Sequence, residues 1–357
     1  MSRRAEAVID LSALRHNLSK VRSYAPQSAV FAALKADAYG HGAAHVAHAL
    51  QDADGFALAS IDEALRLRWS GIVNTPLMLL STPVNSETLS LCAEHNLQPV
   101  VFEPSQLAAL SDYSGSPIKV WIKLDTGMHR LGLEPTRARD IHAQISATSS
   151  ISIQGWLTHL ACADDINDVR SQQQIETFTQ ALGDLPGQRS IANSAGIVAW
   201  PGSHLDVVRP GIMLYGGSPV LHKTAEELGL APAMTLSAPL ISIKEIPAGE
   251  AVGYGATWQA EGTTRIGVVA IGYGDGYPRR MPSETPVLVN GQRATLAGRV
   301  SMDMITVNLN ACPDAKIGDR AVLWGQGLPA DEIAMAAGTI AYELFCQLTN
   351  RVAFRYE

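Results

Sequence analysis

Cysteine is scarce in this chain of 357 residues, and its placement argues against two kinds of site. The sequence contains four cysteines, Cys92, Cys162, Cys312 and Cys346, and no two of them form a CxxC pair. A disulfide framework and a cysteine-based zinc site are therefore not expected. Scattered single thiols are typical of reduced cytoplasmic proteins, so we predict a cytoplasmic location.

Long apolar runs and an excess of basic residues are also missing. No run approaches the length of a membrane span. The basic N-terminus, residues 1–6, is not followed by the apolar segment of a signal peptide. Lys and Arg number 27 against 34 Asp and Glu, a net charge of −7. This balance disfavours a nucleic acid or an anionic membrane as the main partner.

The first two thirds of the chain alternate short apolar runs with amphipathic stretches. Helical patterns include residues 12–24 and 103–111, and Ser60 to Glu63 has the spacing of a capping box at a helix start. Eight strand–helix units before about residue 215 favour a (β/α)8 barrel over a doubly wound sheet. The predicted strands are 31–35, 56–59, 76–80, 99–102, 119–124, 153–160, 189–193 and 206–209.

The pattern changes after Pro232 to closely spaced strands. Asn290-Gly291 is a hairpin signal between two of them, and a helical pair is predicted near residues 331–348. We therefore predict an α/β plus β protein, with a (β/α)8 barrel over residues 1–228 and a mostly β domain over 229–357. The predicted strands of the second domain are 236–246, 264–271, 286–289, 294–300 and 305–309.

Chemically capable side chains follow the predicted barrel strands. In such barrels the chemistry lies at the carboxyl ends of the strands. Lys35 follows the apolar run Val30–Leu34, where desolvation lowers the pKa of an amine and allows it to form a Schiff base or act as a base. The other strand ends carry Lys123 to Arg130, His159, Asn193-Ser194 and Arg209 to Ile212.

These strand ends indicate the cofactor pyridoxal 5′-phosphate. Ser194 and the backbone at Gly211 and Ile212 follow strands seven and eight, where barrels commonly bind phosphate. A lysine that can form an imine, beside a phosphate cup, suits an aldehyde that carries a phosphate.

The second domain adds three motifs, at residues 252–258, 272–278 and 300–304. With the Lys35–Gly42 run, they make the chain closely resemble the alanine racemase family, bacterial pyridoxal-phosphate enzymes, over nearly its whole length. The resemblance implies an isomerase that interconverts L- and D-alanine, either supplying D-alanine for peptidoglycan or degrading it. It also implies a homodimer with shared active sites, because the family's second-domain tyrosine enters the site of the other subunit.

The same resemblance assigns a role to each matching residue. Lys35 would bind the cofactor and then act as the base on the D-face, and Tyr254 would be the base on the L-face. Arg209 would face the pyridine nitrogen, and His159 would pack near the ring and orient Arg209. Lys123 matches a lysine that is often carbamylated. The phosphate ligands would be Tyr39, Ser194, Gly211, Ile212 and Tyr342; Arg130 and Met302 would bind the substrate carboxylate; Tyr273 and Asp303 would line the route by which substrate enters.

Racemisation explains why two bases are needed. A single base tends to return the proton to the face from which it came, so the acid–base pair must lie on opposite faces of the reacting carbon. An ordinary tyrosine has a pKa of about 10, so its use as a base requires nearby positive charge, hydrogen bonds or both, for which Arg130 and His159 are the candidates. Arg209 would keep the pyridine nitrogen unprotonated, which should suppress side reactions such as transamination.

Small departures from the family and several alternatives remain. Asp37 stands where many members have Asn, and Leu160 where Phe is common. A decarboxylase of basic amino acids would have an acidic partner for the pyridine nitrogen, whereas this chain has Arg209. A non-catalytic cofactor-binding barrel would lack the second domain, and a serine or broad-specificity racemase stays open. His41, His45 and His48 have helical spacing, but without an HExxH glutamate we predict no metal.

Overall fold

The computed structural model describes residues 5–357 and contains the predicted barrel. Residues 1–4 lie outside the described range. They include part of the basic N-terminus, for which the sequence predicts no signal peptide. After a first strand β1 (Glu6–Ile9), eight strands run parallel, in the order β8-β7-β6-β5-β4-β3-β2-β9. They are β2 (Ala29–Ala33), β3 (Gly55–Leu58), β4 (Leu77–Leu79), β5 (Leu97–Val101), β6 (Ile118–Lys123), β7 (Ile151–Leu157), β8 (Gln188–Ser190) and β9 (Val207–Val208).

Hydrogen bonds beyond the regular ladder close the barrel between β8 and β9. Asp206 N donates to Arg189 O at 3.1 Å, and Arg209 N donates to Ala192 O at 2.8 Å. The buried hydroxyl of Ser190 also donates to Val207 O at 2.6 Å. This junction matters for function because it holds Arg209 at the carboxyl end of the barrel.

Helices connect the barrel strands and cover them. α1 begins after Asp10, whose carboxylate accepts hydrogen bonds from Ser12 N and Ala13 N and so caps the helix. The helices of this region are α1 (Leu11–Tyr24), α2 (Lys35–Gly40), α3 (Ala43–Ala49), α4 (Ile61–Trp69), α5 (Ser86–Glu94), α6 (Pro104–Ser111), α7 (Ala138–Ser146), α8 (Arg170–Leu182) and α9 (Ser194–Ala199).

The segment α2 is a left-handed turn, a conformation that was not predicted from the sequence. Ala36 has φ 53° and ψ 49°, and Asp37, Ala38 and Tyr39 have φ between 53° and 55°. Left-handed helical backbone costs L-residues roughly 1–2 kcal/mol each, because Cβ approaches the following carbonyl oxygen. Hydrogen bonds from Ala38 N to Leu34 O and from Gly42 N to Asp37 O support the turn. Strain of this kind is found where function requires it.

The second part of the chain is mostly β, as predicted. Its long strand β10 pairs with β1, β13 and β17, so the N-terminal β1 lies in this sheet rather than in the barrel. The strands are β10 (Met234–Ile246), β11 (Ala251–Val252), β12 (Trp258–Gln259), β13 (Thr264–Val269), β14 (Pro286–Val289), β15 (Gln292–Leu296), β16 (Ile305–Asn308), β17 (Arg320–Trp324) and β18 (Ala353–Tyr356), with helices α10 (Ala330–Ala336) and α11 (Ala341–Cys346) before β18.

Several predicted boundaries need correction, although the fold class is confirmed. The predicted strand 31–35 ends at Ala33, and the predicted strand 206–209 is only two residues long. The predicted turn is present: β14 and β15 pair antiparallel around Asn290-Gly291, both with positive φ. Five strands were not predicted from the sequence: β1, β11, β12, β17 and β18. A domain boundary at residue 228 stays a prediction.

Candidate active site

One cavity of about 560 Å³ opens at the carboxyl ends of the barrel strands. Its floor is the apolar interior of the barrel, where Phe31 packs edge-on against Trp121, and the indole nitrogen of Trp121 donates to Gln98 at 2.8 Å. Ten predicted site residues line this cavity: Lys35, Tyr39, Lys123, Arg130, His159, Ser194, Arg209, Gly211, Ile212 and Tyr342.

Lys35 stands at the start of the left-handed turn, separated from β2 only by Leu34. Burial lowers the pKa of its amine, the positive charges of Arg130 and Arg209 lower it further, and the carboxylate of Glu63 opposes them. The neutral amine is therefore more accessible near neutral pH than in an exposed lysine, which is the state required of a nucleophile or base.

Arg209 is a buried cation held by neutral acceptors. Its guanidinium donates to Thr158 O at 2.6 Å and to the hydroxyl of Ser190. Among residues 5–357 no carboxylate forms an ion pair with it. Burial lowers its pKa to about 10, which still leaves it charged at neutral pH. Because Arg209 lines the cavity, its positive charge is available to interact with a group bound there.

His159 is neutral at neutral pH. Burial lowers its pKa well below the ordinary value, and the charges of Arg209, Lys123, Lys35 and Arg130 lower it further. A neutral His159 brings no positive charge to a tyrosine base, so a hydrogen bond is the contribution open to it, and Arg130 is the candidate for the charge.

Lys123 is almost fully buried among other cations. Burial is the main cause that lowers its pKa to about 8, with Arg209 and Arg130 contributing. At that pKa about a tenth of the amine is neutral at pH 7 and half at pH 8. The chain thus contains a second unusually neutral lysine beside Lys35.

The loop after β6 sets the position of Arg130. The carboxylate of Asp125 accepts hydrogen bonds from the backbone N–H groups of Gly127, Met128 and His129. Leu133 N then returns to Lys123 O at 2.8 Å, so the loop that carries Arg130 is closed at its base. Gln174 was not singled out from the sequence, and it braces this loop by donating to Thr126 and to His159 O.

The predicted phosphate ligands contact one another on one wall of the cavity. Ser194 Oγ accepts from Gly211 N at 2.7 Å. A Cβ on Gly211 would lie 2.4 Å from the Tyr39 hydroxyl, so only glycine allows this approach. Tyr39 stacks on Tyr215 with ring centroids 4.8 Å apart and lies 5.7 Å from Tyr342. Hydroxyl and backbone N–H groups so gathered suit an anionic oxygen group.

The other four predicted site residues do not line this cavity. Tyr254, Tyr273 and Met302 are exposed by 69%, 38% and 52%, and with Asp303 they belong to loops of the β-rich part. Backbone bonds from Tyr273 N to Ser301 O and from Gly274 N to Met302 O join two of these loops. Arg351 binds Asp303 and also Asp275, which follows Tyr273 closely. We call Tyr254, Tyr273, Met302 and Asp303 the exposed patch.

The three spaced histidines have separate partners. His41 Nδ1 lies 2.9 Å from Tyr39 O, His45 stacks on Tyr356, and His48 Nε2 lies 3.0 Å from Ser70 O. Across the described part of the chain, no cluster of three or more His, Cys, Asp or Glu side chains is arranged to hold a metal ion. Asp37, one of the departures from the family, caps α3 by accepting from Ala43 N at 2.7 Å.

The fold is a (β/α)8 barrel joined to a β domain. Its cavity contains an amine and an arginine that pairs with no carboxylate among the described residues, which defines a class of barrel enzyme suited to an anionic carbonyl compound. Comparison with known proteins narrows this class. Residues 9–219 match the alanine racemase N-terminal domain, and residues 233–356 match the alanine racemase C-terminal domain. The chain therefore belongs to the alanine racemase family, and the predicted enzyme class is confirmed.

Relatives and solved structures agree over the full length. The alanine racemase of Vibrio cholerae is 47% identical over 356 residues, which cover 99% of this chain and 98% of that protein. The alanine racemase of Yersinia pestis is 48% identical over 355 residues, with the same coverage. The crystal structure of biosynthetic alanine racemase from Pseudomonas aeruginosa has a TM-score of 0.95 and 47% identity, with 100% of both chains covered.

Proposed function

We propose that this enzyme interconverts L-alanine and D-alanine with pyridoxal 5′-phosphate, using Lys35 and Tyr254 as bases on opposite faces. The observation that carries this proposal is one cavity that gathers three features: an amine of lowered pKa, an arginine with no carboxylate partner within residues 5–357, and a wall of hydroxyl and N–H groups. Similarity to alanine racemases over the full length supports alanine as the substrate.

The residues present fit the cofactor. Lys35 would hold it covalently, and Tyr39, Ser194, Gly211, Ile212 and Tyr342 would hold its phosphate. The cofactor supplies an aldehyde that condenses with an amino group and a ring that withdraws electrons from Cα. Arg209 would lie at the pyridine nitrogen, with the guanidinium aligned by Ser190 and by the carbonyl of Thr158. A permanently charged donor at that point keeps the nitrogen unprotonated.

The proton steps belong to this chain's own side chains. For L-alanine, Tyr254 Oη takes the α-proton, the bonding electrons stay on the substrate side, and Lys35 Nζ delivers a proton to the other face of Cα. The reverse direction exchanges the two roles. Arg130 and the backbone N–H of Met302 would hold the substrate carboxylate, with Tyr273 and Asp303 lining the route by which substrate enters.

The exposure of Tyr254 and Met302 supports a homodimer. Both residues lie on the exposed patch and away from their own chain's cavity, so each site would be completed by the second subunit. Large apolar side chains left exposed in this way are typical of a surface that contacts another protein. The four cysteines are free, which fits a cytoplasmic location.

The product D-alanine would be used in cell-wall synthesis. The Pseudomonas enzyme of 47% identity is described as biosynthetic. This likeness favours the supply of D-alanine for peptidoglycan over the degradation of D-alanine.

A chiral assay tests the proposal. Purified protein with pyridoxal phosphate should convert L-alanine to D-alanine, and Lys35→Ala should lose about 10⁴-fold of this activity, because both the covalent anchor and one base are removed. Lys119→Ala removes an exposed lysine from β6 and is the control. Absence of D-alanine from the unaltered protein, or full activity of Lys35→Ala, would contradict the proposal.

A further inference from the structure

The carboxylate of Glu63 ties two barrel strand ends together. Its Oε1 accepts a hydrogen bond from Ala36 N at 2.8 Å, and its Oε2 accepts one from Ala59 N at 2.7 Å. Ala36 directly follows Lys35, and Ala59 directly follows β3. One side chain on α4 therefore connects the backbone at Lys35 to the neighbouring barrel strand.

Glu63 does more than the capping box predicted from the sequence requires. Ser60 Oγ accepts from Glu63 N at 3.3 Å, which is one half of that motif. In the other half, the glutamate at the third helical position binds the backbone N–H of the capping residue. Here the carboxylate instead binds the N–H of Ala59, one residue earlier, and that of Ala36, which belongs to a different segment. Stabilising α4 alone would not require the second contact.

The contact with Ala36 lies where the backbone turns left-handed. Ala36 is the first of five consecutive residues with positive φ, and the first four of them are not glycine. An ionised acceptor forms a stronger hydrogen bond than a neutral one and can hold a backbone N–H in an unfavourable conformation. The peptide that joins Lys35 to Ala36 is thus fixed by a charged group, and the direction of the Lys35 side chain depends on that peptide.

Glu63 also brings a negative charge close to Lys35. Arg130 and Arg209 favour the neutral form of this amine, and Glu63 and Cys346 favour its ammonium form. Lys123 and His159 also interact electrostatically with Lys35 across the cavity. Loss of the carboxylate would remove one of the two opposing influences.

We propose that Glu63 is a positioning residue, which fixes Lys35 by clamping the start of the left-handed turn to the end of β3. This inference rests on the proposed function of Lys35 as the cofactor-binding amine and base. Glu63 itself need not touch substrate or cofactor.

Hydrogen exchange of the cofactor-free chain tests the clamp directly. In Glu63→Gln, a side-chain amide has only one acceptor oxygen, so the amide of Ala36 or of Ala59 should exchange at least about tenfold faster. Asp62→Asn is the matched control, since it removes an exposed carboxylate from the same first turn of α4. Equal exchange in Glu63→Gln and Asp62→Asn would overturn the inference.

The loaded enzyme provides the second measurement. Glu63→Gln should lower kcat about tenfold with a smaller change in KM. Because Glu63 raises the pKa of Lys35, the limb of the kcat–pH profile that is assigned to Lys35 should move to lower pH. Glu63→Asp keeps the charge but is too short to bridge both N–H groups, so it should lower kcat and leave the limb in place. If Glu63→Gln only lowers the melting temperature, with kcat and the limb unchanged, the role is structural and the inference is wrong.

The two proposals fail in different ways. Full activity of Lys35→Ala would reject the proposed function, and the exchange experiment on the cofactor-free chain would still report whether the clamp exists. Should Glu63→Gln not fold, Glu63→Asp carries both measurements, with slowed catalysis and faster amide exchange expected, and unchanged values of both overturning the inference.

Discussion

The cavity and the exposed patch differ in how completely one chain builds them. In the cavity, Lys35, Arg209 and the wall that contains Tyr39 are oriented by hydrogen bonds and buried rings of the same chain. In the exposed patch, Tyr254 and Met302 lie mostly open to solvent. The cavity is therefore prepared within one chain, whereas under the proposed homodimer the exposed patch would gain its role only against the second subunit.

Complementation between inactive chains tests this comparison most severely. Lys35→Ala and Tyr254→Phe should each lose about 10³-fold or more of racemase activity, since each removes one of two bases. If sites are shared, a mixed dimer contains one intact site, and an equal mixture should recover up to about a quarter of normal activity. Activity is measured by chiral chromatography after subunit exchange.

The control for Tyr254→Phe is Tyr24→Phe, at the end of α1, which should keep full activity. Tyr254→Phe should also slow α-proton exchange from L-alanine more than from D-alanine. Failure to recover activity despite demonstrated subunit exchange would mean that each chain builds its whole site.

Acid should lower the stability of the folded chain through His41. This residue directly follows the left-handed turn, and its ring packs against those of Tyr215 and Phe345. Burial lowers the pKa of His41 to about 4. The unfolded chain therefore binds a proton below pH 6.5 that the folded chain does not bind until about pH 4. Stability should fall as the pH drops through this window, by about 2 kcal/mol between pH 8 and pH 5 from this group.

Urea unfolding at pH 8 and pH 5 measures the effect. His41→Gln should be less stable at both pH values but show a smaller acid-induced drop than the unaltered protein. His222→Gln, at an exposed position, should keep the full drop. An unchanged drop in His41→Gln would show that other groups cause the acid sensitivity.

Lys123 offers the smallest expected effect, a dependence on carbon dioxide. A carbamate forms from the neutral amine, so its formation should rise as the pH increases through about 8, the pKa of Lys123. The added carboxylate would brace the neighbouring Arg130. Removal of bicarbonate should lower activity about tenfold, close to 1.4 kcal/mol in the barrier.

Labelling with ¹³C-bicarbonate and nuclear magnetic resonance would detect the carbamate. The signal should be absent in Lys123→Ala and present in Lys119→Ala, whose lost lysine is exposed on the same strand. A signal of equal size in Lys123→Ala would assign the carbamate elsewhere or reject it.

Local sequence patterns predicted the fold well where one physical signal dominated. Alternation of apolar and amphipathic runs predicted the barrel, and Asn290-Gly291 predicted its hairpin because both residues tolerate positive φ. Short strands such as Val207–Val208 were misjudged, since their pairing depends on neighbours rather than on their own composition. β1 was missed because its partners, β10 and β18, are more than 200 residues away.

The sequence by itself determined which residue types stand at the strand ends, because parallel strands bring their carboxyl ends to one edge whatever the details of packing. Only the tertiary structure decided how these residues behave. Burial among cations makes His159 neutral and lowers the pKa of Lys123 to about 8, and the left-handed turn at Lys35 is held by Glu63 from another helix. Desolvation, long-range charge and hydrogen bonds between distant segments exist only once the chain has folded.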